Sequence, residues 1–393
     1  MLKQSVKIHP DILKLGFVSF LTDLSSEMIF SVFAVFFTTI AGASSALLGL
    51  IEGLADFSAS SLNYFSGWLS DRTGQRKIFV IAGYGFCTLA KIILLVTSSI
   101  IGLSIFRVIE RLGKGFRGPP RDAWLSNIAD PATRGLSFGI HKALDKAGAV
   151  IGPLIAYGLL SNLGESAASY KTLFWVAFIP AVLSVVMLML IKDKPSKPHS
   201  RENISQNWQS ISPNFKQFLI PAGIFALAYY SLGFLLIKAH QVGFSIKDTV
   251  LLYALFNGIC VVVAPIVGWL GDKIGRCYII MLGYILYGAI NISLIFAHTY
   301  WHIIILFAIY GVFYAIDESQ IKAFIADLEP ERRATAIGIY NFVTGALYLP
   351  ASLIAGALWL TKPTIVFGLA TALSLTAAAL FLSNPVLNKK VKN

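Results

Sequence analysis

The sequence predicts an all-α membrane protein: twelve transmembrane helices in two pseudo-symmetric six-helix bundles. Three observations carry that prediction. Of 393 residues, 56% are hydrophobic and only 13% charged, against roughly 25% charged in soluble domains. Apolar runs such as "IFVIAGYGFCTLAKIILLV" and "LFWVAFIPAVLSVVMLMLI" recur along the whole chain. Each reaches the roughly 20 residues that cross a bilayer as helix, whereas a buried core helix rarely exceeds about 14 apolar residues. Finally, short polar blocks of the first half return in the second.

In order, the spans fall near 11–40, 45–70, 77–97, 100–127, 134–162, 171–191, 216–240, 247–271, 277–297, 301–326, 333–359 and 362–383. Twelve crossings put both termini on one side. Loops on that side carry Arg72, Arg76, Lys77, Lys192, Lys194, Lys197, Arg276, Lys389 and other cations; the opposite loops offer only Lys171, Lys247 and Lys362. This asymmetry places both termini in the cytoplasm. The net charge of +12 is therefore mostly a topology signal, and no nucleic-acid partner is expected. Cys87, Cys260 and Cys277 show no paired spacing and read as small buried hydrophobes. No cleavable signal peptide is expected, because the first apolar segment is long and lacks a small-residue cleavage site.

The only long polar interior stretch, "KDKPSKPHSRENISQNWQSISPN", is rich in Lys, Pro, Ser and Asn and reads as a flexible linker. It divides the chain into an N-terminal bundle (1–191), a cytoplasmic linker (192–215) and a C-terminal bundle (216–393). The halves echo each other. "GWLSDRTGQR" begins at Gly67 and "GWLGDKIGRC" at Gly268; "NIAD" ends at Asp130 and "FIAD" at Asp327. Internal repeats of this kind point to a transporter of two similar rigid bundles around a central site.

Through these motifs the chain resembles the major facilitator superfamily over nearly its full length. The family's loop signature is matched by Gly67, Leu69, Asp71, Arg72, Gly74, Arg76 and Lys77. A degenerate copy keeps Gly268, Leu270, Asp272, Lys273, Gly275 and Arg276. The resemblance implies that Asp71 and Arg72 brace the two bundles on the cytoplasmic side. Physically, Gly67 permits close helix approach, and a carboxylate can cap a helix start. "KAGAVIGP" supplies Gly148, Gly152 and Pro153, similar to the family's antiporter motif but without its final glycines. Small residues there allow tight packing and the proline a bend.

The chemistry concentrates in "RVIERLGKGFRGPPRDA". On a helix, Arg107, Arg111, Lys114, Arg117 and Arg121 fall within an arc of about 120°. Such a face cannot meet lipid at about 2.5–3.5 kcal/mol or more per central charge. It must face the bundle interior or a water-filled cavity. Glu110 shares the face. Pro119 and Pro120 should kink or end the helix, but the resemblance places the next loop at "IADPATRG" and favours continuation to about Asn127. It also matches Arg111 and Gly115 to the family's fourth-helix motif, whose arginine is associated with proton coupling. Two readings of the stripe stand: an anion-binding or coupling face, and an internal salt-bridge network.

Counter-charges lie on neighbouring spans. Asp23 and Glu27 are spaced i, i+4 on the first; Glu52 and Asp56 likewise on the second; His141, Lys142, Asp145 and Lys146 lie on the fifth. Asp23, Glu27 and Asp145 are the candidate proton carriers, since intramembrane carboxylates commonly mark proton relays. Lys142 and Asp145 can also pair locally. In the second half, Asp317, Glu318 and Lys322 are the charged group of the tenth span, and Tyr229, Tyr230, Tyr310, Phe313, Tyr314, Tyr340 and Asn341 could wall a cavity. Arg107, Arg111, Lys114, Arg117, Glu27, Glu318 and Tyr314 form the candidate solute-binding set.

The chain shows no GxxxxGK[ST], HExxH or GxSxG pattern. His298 and His302 have helical spacing but sit at an outer boundary and read as interfacial. No metal, no cofactor and no enzymatic activity are expected, so energy must come from an ion gradient or the solute's own. The sequence reading is a secondary transporter of a small, anionic organic solute, working by proton antiport and export. The alternative is proton-coupled uptake of an anionic metabolite or siderophore. Its partners would be solute, protons and the lipid bilayer of the plasma membrane, the inner membrane in a Gram-negative cell, with the protein a monomer. Because "GWLSDRTGQR" lies far from a mid-membrane site, Asp71→Asn should slow flux in liposomes while equilibrium solute binding by the folded protein stays largely intact.

Overall fold

The computed structural model describes residues 9–129, 134–192, 208, 211–329 and 333–383. The linker expected at 192–215 falls largely outside them, as does Asp130; the side chains of Asp71 and Asp272 are also not described. The described residues are helical almost throughout. The helices are α1 (Pro10–Val35), which ends in a π turn (Phe36–Ile40), α2 (Ser45–Thr73), α3 (Arg76–Val96), α4 (Ile100–Ile128), α5 (Arg134–Leu163) and α6 (Ala167–Leu190). There follow α7 (Pro213–Ala228), α8 (Leu232–Val242), α9 (Ile246–Ile274), α10 (Arg276–Ile295), α11 (Tyr300–Leu328), α12 (Arg333–Thr361) and α13 (Pro363–Ser383). With α7 and α8 counted as one broken span, these are the twelve expected crossings. Ten are long and apolar enough to cross a membrane by length and composition. The other two, α2 and α4, are 29 residues each, about 43 Å of helix, but carry too many polar residues to register.

Local chemistry sets the helix ends. Ser99, Ser166, Ser212, Ser231, Ser245 and Thr299 each cap a helix start by accepting from a backbone N–H two or three residues on, as short hydroxyl side chains do. Gly74 (φ 69°) and Gly275 (φ 106°) turn the chain between α2 and α3 and between α9 and α10. Both belong to the repeated loop motif, and the left-handed backbone explains a glycine there.

The seventh span differs from the single helix expected over 216–240. It breaks at Tyr229, whose backbone is extended, and restarts at the Ser231 cap. The freed backbone is satisfied: the Tyr287 hydroxyl donates to the Ala228 carbonyl at 3.3 Å. The Glu52 carboxylate, from α2, accepts from the Ser231 hydroxyl at 3.1 Å. Glu52 thus has a structural duty at a helix start, where negative charge is favoured.

The chain forms two compact units. One comprises Met1–Val32 and Leu62–Arg201, the other Phe33–Ser61 and Glu202–Asn393. In the first, α3 lies against α4 at backbone distance. A Cβ on Gly83 would stand 2.8 Å from the Gly113 carbonyl, and one on Gly113 2.7 Å from Cys87 Sγ. In the same way α5 lies on α1: a Cβ on Gly148 would meet the Phe20 carbonyl at 2.5 Å, and on Gly152 the Leu24 carbonyl at 2.6 Å. The antiporter-like glycines therefore serve α1–α5 packing. In the second unit, residues 45–61 of α2 run along α12, where a Cβ on Gly53 would touch the Leu349 backbone at 3.0 Å. Outward faces such as Trp175, Ile179, Leu183 and Leu190 on α6 are exposed and apolar, as hydrocarbon contact requires.

Gly148→Ala should lower the thermal unfolding midpoint of detergent-solubilised protein or abolish monodisperse expression, since overpacking costs about 1–3 kcal/mol or more. Gly158→Ala, on the same helix with nothing within 4 Å, should be neutral or mildly stabilising.

Candidate functional site

The site grows from α4. The helix runs through Pro119 and Pro120 to Ile128, so Arg121 and Asp122 belong to it and are not part of a loop. The basic stripe then divides by depth. Arg117 is 2% exposed. It donates to Asp23 Oδ1 on α1 at 3.4 Å, lies 4.3 Å from the Tyr84 ring centroid and approaches Cys87 Sγ at 3.7 Å. Arg107 is buried over the Phe30 ring at 4.2 Å, and its nearest oxygen on Glu110 is 4.0 Å away. Arg121 donates to Ser19 Oγ at 3.2 Å and pairs with Asp122 at 3.0 Å and Asp145 at 3.8 Å. Arg111 and Lys114 are partly exposed.

The neighbouring carboxylates are thereby accounted for. Asp23 is the partner of Arg117. Asp145 joins Arg121 to Lys142, at 3.4 Å from the lysine, so the expected local pair forms. His141, also buried, shares Ser19 with Tyr84 and Arg121: Ser19 Oγ lies 3.1 Å from His141 Nε2 and 2.9 Å from the Tyr84 hydroxyl. Glu27 is partly exposed. Arg117 and Arg121 are thus ion-paired within the unit, Arg107 lies 4.0 Å from Glu110, and Arg111 and Lys114 are partly exposed.

A further layer was not legible from motifs. Lys91, in the middle of α3, is 1% exposed. Its amine donates to Ser26 Oγ at 3.1 Å and to the Cys87 carbonyl at 3.4 Å. Ser26 in turn donates to Glu110 Oε1 at 3.1 Å. One signal was available: a lone lysine inside "CTLAKIILLV", since an ionisable residue at membrane depth is a functional candidate by default.

At the motif end of each unit the repeat is physical as well as sequential. Arg76 tethers the start of α3 to the Ala123 carbonyl near the end of α4. Its counterpart Arg276 pairs with Asp327 near the end of α11 at 3.4 Å. Arg72 lies over Trp68 at 5.3 Å and Lys273 over Trp269 at 3.9 Å. Gly67 packs on Pro119, where a Cβ would be 3.2 Å away, but Gly268 has nothing within 4 Å. In the second unit the close approach lies one turn on, at Gly271, which packs against Gln320.

The second unit is aromatic where the first is charged. Tyr229, at the helix break, stacks on Tyr287 at 5.7 Å, meets Tyr348 at 5.3 Å and accepts from the Tyr310 hydroxyl at 3.3 Å. Tyr230 donates to Asn291 at 2.6 Å. Tyr314 packs edge-on to Phe256 at 5.2 Å, and Tyr340 stacks on Phe218 at 6.0 Å. Asp317 lies beside Tyr284, Phe313 and Ile316. Tyr284, Tyr287, Asn291 and Tyr348 add to the expected wall. Glu318 is half-buried next along α11.

Twelve helices, an internal repeat and a charged network inside one unit define a multi-pass membrane transporter. The chain belongs to the Major Facilitator Superfamily, whose profile matches residues 15–265 and 222–393. An uncharacterized MFS-type transporter of Methanocaldococcus jannaschii is 33% identical over 383 residues, covering 96% of this chain and 95% of that one. The quinolone resistance protein NorA of Staphylococcus aureus is 23% identical over 368 residues, with 90% of each chain covered. Among solved structures, the nucleoside transporter NupG superposes with a TM-score of 0.80 at 11% identity, over 95% of this chain and 99% of that one. A POT family transporter superposes with a TM-score of 0.76 at 16% identity, over 97% and 96%. Structural likeness at such identities speaks for the fold alone.

Arg117→Met should destabilise the protein by about 3–5 kcal/mol, because it strands a buried carboxylate. Adding Asp23→Leu should recover most of the loss, and Arg111→Gln should cost far less. Thermal unfolding in detergent reads all three.

Proposed function

We propose that this transporter moves a small organic anion across the plasma membrane, coupled to protons, by alternating access of two six-helix halves (1–191 and 216–393). The observation that carries the reading is the charge balance of the first unit. The cations Lys91, Arg107, Arg111, Lys114, Arg117, Arg121 and Lys142 outnumber the carboxylates Asp23, Glu27, Glu110, Asp122 and Asp145 among which they lie. Desolvated charge of one sign is costly unless an opposite charge arrives, and a carboxylate or phosphate on the solute supplies it. Arg111 offers a planar fork suited to such groups. Both termini are cytoplasmic in this reading, by the loop asymmetry, and the working unit is a monomer.

Direction follows from linkage. An anion and a proton that bind near one another each favour the other's binding. That coupling suits co-transport, which in a cell with an inward proton gradient means uptake. Antiport instead requires competition between solute and proton. Export, the first reading of the sequence, becomes the second. Two observations favour it: NorA is a resistance protein, and Gly148, Gly152 and Pro153 match the antiporter-like pattern.

A thermal-shift series with citrate, benzoate and inorganic phosphate identifies the anion class. In liposomes loaded with that anion, an imposed outside-acid gradient should retain or concentrate it under co-transport and empty it under antiport. Flux indifferent to the gradient and to an uncoupler would remove proton coupling. Arg111→Gln should weaken anion binding on the order of tenfold or more, the scale of a lost charge-assisted hydrogen bond, with folding preserved. Unchanged affinity in stable Arg111→Gln protein would remove that residue from recognition.

A further inference from the structure

The buried lysine of α3 enters the transport reading only as one charge among several. Three arginines of the surrounding cluster, Arg107, Arg111 and Arg117, keep their protons permanently. Lys114 is partly exposed. Lys91 is the buried ammonium, and it is wired. Its amine donates to Ser26 Oγ at 3.1 Å, and the same hydroxyl donates to Glu110 Oε1 at 3.1 Å. Lys91 and Glu110 are each 1% exposed. Such an ammonium–hydroxyl–carboxylate file lets a proton cross in one concerted shift. The ammonium gives a proton to the Ser26 oxygen as the hydroxyl proton moves to Glu110. No bond between heavy atoms changes and the total charge is conserved.

The surroundings favour an exchangeable proton at this point over a static ion pair. Within α3 the neighbour is Cys87, whose carbonyl takes a second amine hydrogen at 3.4 Å. From α4 come Glu110, Arg107, Lys114 and Arg117, and from α1 come Asp23 and Glu27. The helix α6 also packs on α3 but carries no charged residue from Thr172 to Leu190. Lys91 therefore feels a local field set almost wholly by α1 and α4. That field changes when an anion docks beside Arg111 and Lys114, within about one turn of Glu110 on the same helix.

We propose that Lys91, wired through Ser26 to Glu110, is the proton-binding site of this transporter. It takes up a proton from solvent water, passed inward through Glu110 and Ser26, when an organic anion docks beside Arg111 and Lys114, and returns it to water by the same route when the anion leaves. The proposal rests on the proton-coupled reading above and takes its co-transport arm.

The test uses the full chain in detergent micelles with lysines labelled at the ε carbon, read by carbon NMR. The Lys91 resonance is assigned by its absence from Lys91→Arg and from the charge-neutral pair Lys91→Met with Glu110→Gln, so a misfolded single variant does not block assignment. Between about pH 5 and about pH 9, where ordinary lysines stay protonated, the Lys91 resonance should titrate reversibly. Ser26→Ala, which cuts the wire, should move its midpoint. A Lys91 resonance fixed at the ammonium position throughout that range overturns the proposal, as does a midpoint indifferent to Ser26→Ala. The liposome assay separates the two readings. A titrating Lys91 without gradient-driven flux keeps the proton site and removes coupled transport. Gradient-driven flux with a fixed Lys91 keeps coupling and removes this site.

Discussion

Fixed positive charge at membrane depth is the constraint on which the rest of the first unit depends. A helix bearing Arg107, Arg111, Lys114, Arg117 and Arg121 is not stable facing hydrocarbon. It has to be enclosed, and the enclosing helices have to bring carboxylates and hydroxyls within reach. This accounts for Asp23 on α1 and Asp145 on α5, each paired with an α4 cation, and for Ser26 on α1, which joins Lys91 of α3 to Glu110 of α4. It also accounts for the glycines. Pairing at 3–4 Å across helices needs backbones that approach closely, which Gly83 and Gly113 permit between α3 and α4, and Gly148 and Gly152 between α1 and α5.

The two halves share a frame and differ in content. Arg76 and Arg276 tether equivalent helix starts, Gly74 and Gly275 make equivalent turns, and Trp68 with Arg72 matches Trp269 with Lys273. These features lie at the ends of helices, where the geometry of a turn is the same whatever the unit contains. Deeper in, the first unit is ionic and the second is a network of tyrosine and phenylalanine rings around a broken helix.

Much of this was legible in the sequence because it is written in period and repetition. Hydrophobic run length defines the crossings, the repeated loop block defines the halves, and the angular arc of α4 shows that its cations share one face. The continuation of α4 through Pro119 and Pro120 was legible only through the family resemblance, since a proline pair alone argues for a stop. Other features depend on tertiary contacts that leave no local trace. The break at Tyr229 to Ser231 is stabilised by Glu52, about 180 residues earlier in the chain, and by the hydroxyl of Tyr287. Gly268 repeats Gly67 in sequence, yet the tight contact sits at Gly271, because Gln320 rather than a proline faces that helix. Lys91 was hidden by its own setting. A single charge in a strongly apolar window does not spoil the span, so the window reads as ordinary membrane helix.

The chemistry of that lysine bears on how a basic site can release its cargo. A cluster built from arginine alone would hold an anion with a charge that cannot vary, and tight binding would then oppose release on either side. A site that transports needs some part of its charge to be adjustable. In the first unit the adjustable groups are the carboxylates and lysines, and the arginines set the background against which they work. Asp23 is bound directly to Arg117, and Asp145 directly to Arg121. Lys91 differs because its own partner, Glu110, is reached through a hydroxyl that can pass a proton. If that proton passes beyond Glu110 to water, the network loses one positive charge. By Coulomb's law at an effective dielectric near 20, a unit charge about 6–8 Å away is worth roughly 2–3 kcal/mol, or some thirty- to a hundredfold in anion affinity. A change of that size is enough to turn a binding site into a releasing one without moving any arginine.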